Sequence, residues 1–249
     1  AFAIYALVTQ SVNAKAVEVP ACAWGHDLHA MAEAINANTR LIFIANPNNP
    51  TGTWLTRAAL EDFLQRVPRH VVVVLDEAYN EYVNDPDFPN ALELLPRYPQ
   101  LLLTRTFSKV YGLAGLRLGY SISHAQIADL INRVRQPFNV NVFAQQAGVV
   151  ALQDQQHVAR AVQINRDGMQ QCQQGFESLG LQYIPSYGNF ISVDVGDGDK
   201  VFDALLRQGV IVRPMRGYRM PRHIRVTIGT KTDNQRFLAA LEHAVGGLA

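Results

Sequence analysis

The stretch LLLTRTFSKVYGLAGLRLGY, residues 101–120, decides the fold and the chemistry predicted for this chain. It begins as an apolar strand, turns at a hydroxyl-rich loop that carries Lys109, and reaches Arg117 after a run containing glycines. In open α/β sheets, ligands bind beyond the carboxyl ends of the strands. A lysine at such a strand end is a candidate for covalent chemistry, so Lys109 is the candidate nucleophile.

Two further apolar strands are predicted upstream, and a polar run follows each of them. Residues 41–45 end at the turn-forming run NPNNPTG, residues 46–52, and residues 71–75 end at DEAYNEY, residues 76–82. Short apolar strands that alternate with helices predict an α/β fold, with a largely parallel sheet flanked by helices. The polar side chains at the three consecutive strand ends are Asn49, Asp76, Tyr79, Thr106, Ser108 and Lys109.

The pattern of predicted helices and strands changes in the second half of the chain, and we place a domain boundary near residue 154. Residues 1–154 are interpreted as a large domain, and residues 155–249 as a smaller α/β domain entered by a helix over 155–179. Gly180 is the expected end of that helix. Other strands are expected at residues 14–20, 118–122, 190–195, 210–213 and 223–228. Helices are expected at residues 26–36, 57–66 and 200–208, and Thr56 is the expected N-cap of the second of these. The last helix is expected to begin with a capping box at residues 232–235.

Composition excludes several classes of partner and site. The chain has 22 basic and 21 acidic residues among 249, so we expect neither nucleic acid nor an anionic membrane as a partner. No apolar run is long enough to span a bilayer. The two cysteines, Cys22 and Cys172, form no CxxC pair, which favours a reducing, cytoplasmic location and no cysteine-rich metal site. A small molecule is the expected partner.

The strand-end residues match the needs of one cofactor. A reactive lysine must be deprotonated, which burial and a nearby cation such as Arg117 promote. The Arg117 guanidinium and the hydroxyls of Thr106 and Ser108 suit a phosphate. Ionised Asp76 suits a protonated pyridine nitrogen, which then draws electrons from a carbanion.

Two neighbouring side chains complete this set. Asn49 and Tyr79 are suited to hydrogen-bond a phenolic oxygen on the same ring. The combined set indicates pyridoxal 5′-phosphate, with no metal.

The same motifs carry a family resemblance over essentially the whole chain. The runs NPNNPTG (46–52), DEAYNEY (76–82), TFSKVYGLAGLRLGY (106–120) and HIRVTIGT (223–230) resemble those of the class I/II aminotransferases of the aspartate aminotransferase fold. They are most similar to the histidinol-phosphate aminotransferases. The resemblance implies the roles already given for the strand-end residues. It adds Arg225 as the substrate-anion arginine and Arg213 as a further positive charge beside the substrate. Asn49 is expected to contact the substrate as well as the cofactor.

The resemblance also implies an activity and an assembly. The expected reaction is transamination from L-histidinol phosphate to 2-oxoglutarate in histidine biosynthesis, by a homodimer. An aromatic-amino-acid aminotransferase, a threonine-phosphate decarboxylase, the sensor domain of a transcription regulator and an inactive fragment remain alternatives. The chain begins at Ala1 without a methionine, and we interpret it as N-terminally truncated. The family's glycine-containing phosphate loop and a tyrosine given by the neighbouring subunit would lie upstream.

Overall fold

The first sheet of the structure, a computed structural model that describes residues 1–247, places three strand ends side by side. Strands β1 (Leu41–Ala45), β2 (Val72–Asp76) and β3 (Leu101–Thr106) are parallel, and β4 (Gly119–Ser123) pairs antiparallel with β3. Their order is β1-β2-β3-β4, which confirms the expected largely parallel sheet. Long apolar runs in β1, β2 and β3 suit strands covered on both faces.

The register of this sheet brings its polar residues to one edge. Ala45, the last residue of β1, pairs with Asp76, the last residue of β2. Asp76 in turn pairs with Thr104, two residues before the end of β3. The segments that follow these strands therefore leave the sheet on the same side, as expected for the carboxyl ends of parallel strands.

Helices precede, separate and follow the strands of this sheet. They are α1 (Ile4–Ser11), α2 (Leu28–Glu33), α3 (Arg57–Arg66), α4 (Ala125–Val134) and α5 (Val142–Gln153). Helix α3 packs Leu60, Phe63 and Leu64 against the strands, and its N-cap is Thr56, whose side chain accepts from the Ala59 N–H at 3.2 Å. Both the bounds and the cap of α3 confirm the sequence prediction.

A second sheet with its own core follows a long helix. Helix α6 (Gln155–Ser178) leads into β5 (Tyr183–Ile184), β6 (Phe190–Asp194), α7 (Gly198–Arg207), β7 (Arg213–Pro214), β8 (His223–Thr227) and α8 (Lys231–Gly246). The order is β5-β6-β8-β7, with every pair antiparallel. Gly180 follows α6 with a φ of 68°, the left-handed conformation expected after a helix end.

Three predicted elements were wrong. Residues 14–20 are nearly all exposed and form no strand, because their alternating side chains have no neighbouring strand to pair with. The strand expected at 210–213 is formed only from Arg213 onward. The last helix has its capping box at Thr230 and Asp233 rather than at 232–235, because the helix begins two residues earlier.

The loop of residues 46–52 joins the two sheets. The Ser192 hydroxyl on β6 donates to the Pro50 carbonyl at 2.8 Å, and the Tyr187 N–H donates to the Gly52 carbonyl at 2.9 Å. Gly52 has a φ of 79°, and a Cβ there would lie 2.0 Å from the Ser186 Oγ. Only glycine allows this close approach, so the loop is fixed against the second sheet.

Candidate active site

Asn49 and Tyr79 meet at the carboxyl edge of the first sheet. The Asn49 amide, 8% exposed, donates through Nδ2 to the Tyr79 hydroxyl at 3.4 Å. Burial raises the pKa of Tyr79 to about 12, although the nearby Arg225 opposes this shift. Tyr79 therefore remains a neutral phenol that can donate a hydrogen bond at neutral pH.

Arg225 reaches the same point from the second sheet. Its guanidinium donates to the Asn49 Oδ1 and lies 5.0 Å from the centre of the Phe190 ring. Phe190 also contacts the Tyr79 ring edge-on, with ring centres 5.2 Å apart. Burial lowers the pKa of Arg225 from its high ordinary value, and Arg213, opposite it in the strand register, adds to that shift. The guanidinium nevertheless stays charged.

Asp76 has a hydrogen-bond donor on each carboxylate oxygen. Its Oδ1 accepts from the Ala78 N–H at 3.1 Å, and its Oδ2 accepts from the Tyr5 hydroxyl at 2.6 Å. Asp76 can also accept from a third group, because each carboxylate oxygen has two lone pairs.

Lys109, the predicted nucleophile, follows β3 and is half-buried. Burial is the largest cause that lowers its pKa, the Arg225 charge lowers it further, Asp76 opposes the shift, and Arg117 adds to it. The Nζ lies 5.4 Å from the centre of the Tyr79 ring. The neutral amine, which is the nucleophilic form, is therefore populated at a lower pH than in a solvated lysine.

The three predicted phosphate-binding residues flank Lys109 in the turn between β3 and β4. The Thr106 Oγ1 accepts from the Ser108 N–H at 3.0 Å, which orders the start of the turn. Arg117 has a φ of 55°, and its guanidinium is exposed and donates to the Ala114 carbonyl at 2.7 Å. The left-handed backbone of a non-glycine residue is uncommon and marks a position held by its surroundings.

Some of the predicted site residues are in direct contact, whereas others interact only through their charges. Asn49, Tyr79 and Arg225 are in contact, whereas Asp76 and Lys109 interact with each other electrostatically. Arg213 is exposed and faces Arg225 across the strand pair. Sequence reasoning missed two contributors, Tyr5 and Phe190. The signal for Tyr5 was a single hydroxyl within the apolar run AFAIYALV.

A buried ion pair lies beside the site. Glu77, whose side chain is 1% exposed, accepts from the Arg105 Nε at 2.8 Å. Burial raises the pKa of Glu77, and Arg105 counteracts that shift. The charge of each side chain offsets the charge of the other, and either charge alone would be costly to bury in this position.

We expect Arg105→Met to lower the free energy of unfolding by about 3 kcal/mol, because it leaves a buried carboxylate without its partner. Urea unfolding followed by circular dichroism measures this loss. The matched control is Arg57→Met, which removes an exposed arginine that pairs with Glu61 and Glu93, and should cost clearly less because Arg57 is solvated. Equal losses in the two variants would contradict the importance of burial.

The arrangement suits an aromatic aldehyde cofactor. It offers an amine for the aldehyde, a carboxylate for a ring nitrogen, two donors for a phenolic oxygen, and hydroxyls with an arginine for a phosphate.

Within residues 1–247, the structure contains no group of three or more histidine, cysteine, aspartate or glutamate side chains placed to hold a metal ion. Over the same residues, none of the helices has the length and hydropathy needed to cross a membrane.

Comparison with known proteins gives consistent similarities. A family model described as aminotransferase class I and II matches residues 1–241. Histidinol-phosphate aminotransferase 2 of Pseudomonas fluorescens (strain Pf0-1) is 59% identical over 242 residues, which are 97% of this chain and 65% of that protein. The chain thus spans about 65% of the length of the curated relatives it matches.

Solved structures give the same result for the fold. Histidinol-phosphate aminotransferase from Sinorhizobium meliloti, in complex with pyridoxal-5′-phosphate, superposes with a TM-score of 0.92 at 28% identity, over 100% of this chain and 69% of that one. A Thermus thermophilus aspartate aminotransferase variant superposes with a TM-score of 0.86 at 22% identity, over 96% of this chain and 70% of that one. The chain therefore has the aspartate aminotransferase fold.

Proposed function

Because the chain belongs to the class I and II aminotransferases, we propose that it acts in the pyridoxal-phosphate-dependent transamination of L-histidinol phosphate. The amino acceptor is 2-oxoglutarate, and the products are imidazole acetol phosphate and L-glutamate, in histidine biosynthesis. The relatives at 57–59% identity bear the name histidinol-phosphate aminotransferase. The observation that carries the proposal is the contact of Arg225 with Asn49, and of Asn49 with Tyr79, beside Lys109.

Pyridoxal phosphate supplies an aldehyde and an electron-withdrawing ring that stabilises negative charge on the substrate carbon. Lys109 would hold the aldehyde carbon covalently. Asp76 would accept from the ring N–H, while Asn49 and Tyr79 would donate to the phenolic oxygen. The pKa shifts of Lys109 and Tyr79 support these roles, because one favours a free amine and the other a neutral donor.

Lys109 would also move protons during the reaction. Its Nζ, when free, would take the proton from the substrate's α-carbon as general base and give up a proton again as general acid. A lowered pKa suits this double role, since the best proton carrier has a pKa near the working pH. Thr106, Ser108 and Arg117 would bind the cofactor's phosphate from the turn that carries Lys109.

Two arginines would recognise the negative end of each substrate. Arg225 is half-buried and already donates to Asn49, so its remaining N–H groups are held in a fixed direction. Arg213 lies opposite on the next strand. A guanidinium accommodates both phosphate and carboxylate, which is what a donor phosphate and an acceptor dicarboxylate require.

We expect Arg225→Gln to lower kcat/KM for histidinol phosphate about 100-fold, because charged hydrogen bonds to the substrate are lost. Steady-state kinetics on the full-length protein measure the change. Arg222→Gln is the matched control, since that arginine lies three residues away and pairs with Asp194 at the surface. A kcat/KM for Arg225→Gln within threefold of the control would contradict substrate binding by Arg225.

The proposed division into residues 1–154 and 155–249 is supported by the two separate sheets and cores.

A homodimer is proposed because α4, α5 and the loop between them expose large apolar side chains. They include Val134 (82% exposed), Phe138 (97%) and Phe143 (78%). Exposed apolar side chains of this size are typical of protein interfaces. A cytoplasmic location is proposed because Cys22 and Cys172 are both free thiols.

A substrate panel tests the proposed activity. Full-length protein with pyridoxal phosphate and 2-oxoglutarate is given histidinol phosphate, phenylalanine, tyrosine or threonine phosphate. Glutamate formation and carbon dioxide release are both measured. The proposal predicts the highest kcat/KM for glutamate formation from histidinol phosphate. Preference for an aromatic amino acid, or carbon dioxide release from threonine phosphate, would replace it.

A further inference from the structure

Tyr5 contacts the site from a part of the chain to which no role has been given. It lies on α1, and its hydroxyl reaches the end of β2 to donate to the Asp76 Oδ2 at 2.6 Å. The two residues are 71 positions apart in sequence. A short O–H···O⁻ bond of this length is charge-assisted and stronger than a bond between neutral groups.

The Tyr5 ring is held in place by two aromatic neighbours. It stacks on Phe43 of β1 with ring centres 4.8 Å apart and planes 11° apart. Phe2 contacts it edge-on, with ring centres 5.8 Å apart and planes 88° apart. Stacked and edge-on aromatic pairs have preferred geometries, so they fix the orientation of a ring more closely than its burial alone would. The hydroxyl is therefore directed at Asp76 by packing rather than by its own hydrogen bond alone.

The hydroxyl is a donor at any pH at which the protein works. Burial, followed by the charge of Asp76 and the hydrogen bond to it, raises the pKa of Tyr5 well above its ordinary value. With the Ala78 N–H on the other oxygen, Asp76 receives one donor on each side. The two bonds thereby fix the rotation of the carboxylate.

Resting on the proposed function, we propose that Tyr5 is a positioning residue for the cofactor. By donating to one oxygen of Asp76 and lying against Phe43, it holds the carboxylate in the orientation needed to accept from the ring nitrogen. Tyr5 itself need touch neither the substrate nor the reacting atoms.

The test is a double-mutant cycle on cofactor affinity in the full-length protein. Tyr5→Phe removes the hydroxyl but keeps the ring on Phe43. We expect it to raise the dissociation constant for pyridoxal phosphate about 10-fold, as measured by fluorescence titration of cofactor-free protein. In an Asp76→Ala background, the same change should alter the dissociation constant less than twofold, because its acceptor is gone.

A second readout separates positioning from substrate binding. With saturating pyridoxal phosphate, Tyr5→Phe should lower kcat about 10-fold and leave KM for histidinol phosphate within twofold. The matched control is Tyr183→Phe, since the Tyr183 hydroxyl also donates to a carboxylate, that of Glu177, at 2.9 Å on an exposed face. This control should change neither cofactor affinity nor kcat.

Each other outcome overturns the inference in a recognisable way. Equal effects of Tyr5→Phe in both backgrounds would show a packing role, and no effect in either would show that the hydrogen bond is dispensable. If the wild-type protein binds pyridoxal phosphate at Lys109 while the cycle shows no coupling, only the Tyr5 inference fails. If the wild-type protein binds no pyridoxal phosphate, the proposed function fails as well.

Discussion

Replacement of Lys109 by alanine is expected to abolish transamination, with kcat falling by about four orders of magnitude or more. The loss follows because, in the proposed mechanism, one amine serves as both the covalent anchor of the cofactor and the carrier of the substrate proton. Its lowered pKa, caused first by burial and then by the Arg225 charge, suits it for both roles. The fold should persist, because Lys109 is only half-buried and is not part of a hydrophobic core.

The measurement combines kinetics with chemical trapping. Borohydride reduction of the full-length protein with pyridoxal phosphate, followed by peptide mass mapping, should place the cofactor on Lys109. Lys200→Ala is the matched control, since Lys200 is a surface lysine beside Asp197 and should leave labelling and turnover unchanged. Attachment to another lysine, or appreciable turnover by Lys109→Ala, would refute the central role of this residue.

Asp76→Asn is expected to lower kcat about 1000-fold while the cofactor remains attached through Lys109. The amide has nearly the same shape and can still accept from Tyr5 or from the Ala78 N–H. It lacks the negative charge that keeps a pyridine nitrogen protonated, so the ring withdraws electrons less strongly from the substrate. The substitution therefore separates the charge of Asp76 from its size.

Single-turnover absorbance measurements with histidinol phosphate would locate this loss in the chemical step rather than in binding. Asp194→Asn serves as the control, because Asp194 pairs with Arg222 away from the site. An Asp76→Asn enzyme with unchanged kcat would show that the carboxylate charge is not needed, and the proposed role of Asp76 would have to be abandoned.

Local signals in the sequence predicted much of the first sheet and the strand ends that carry the candidate site. Continuous apolar runs predicted β1, β2 and β3, and the Thr56 cap predicted the start of α3, because these features depend on neighbouring residues. The positions of Asn49, Asp76 and Lys109 at one edge followed from the parallel arrangement of those strands.

Contacts that depend on packing between distant segments could not be predicted in this way. The pairing of Tyr5 with Asp76, and the position of Phe190 beneath Arg225, join segments whose separation in sequence has no local signature. The false strand at residues 14–20 has the same origin. Apolar residues do alternate in this segment, but a strand also needs a neighbouring strand to pair with. The local sequence does not specify that partner.

The loop of residues 46–52 also bears on how the protein acquires its site during folding. The bond from Ser192 to Pro50 closes 142 positions of chain, and the contact of Arg225 with Asn49 closes 176. Contacts so distant carry a large loop-closure entropy and form slowly compared with local structure. Each sheet can therefore collapse on its own core before the site exists. A ligand that requires both sheets would bind only the fully assembled chain and would shift the unfolding equilibrium towards it.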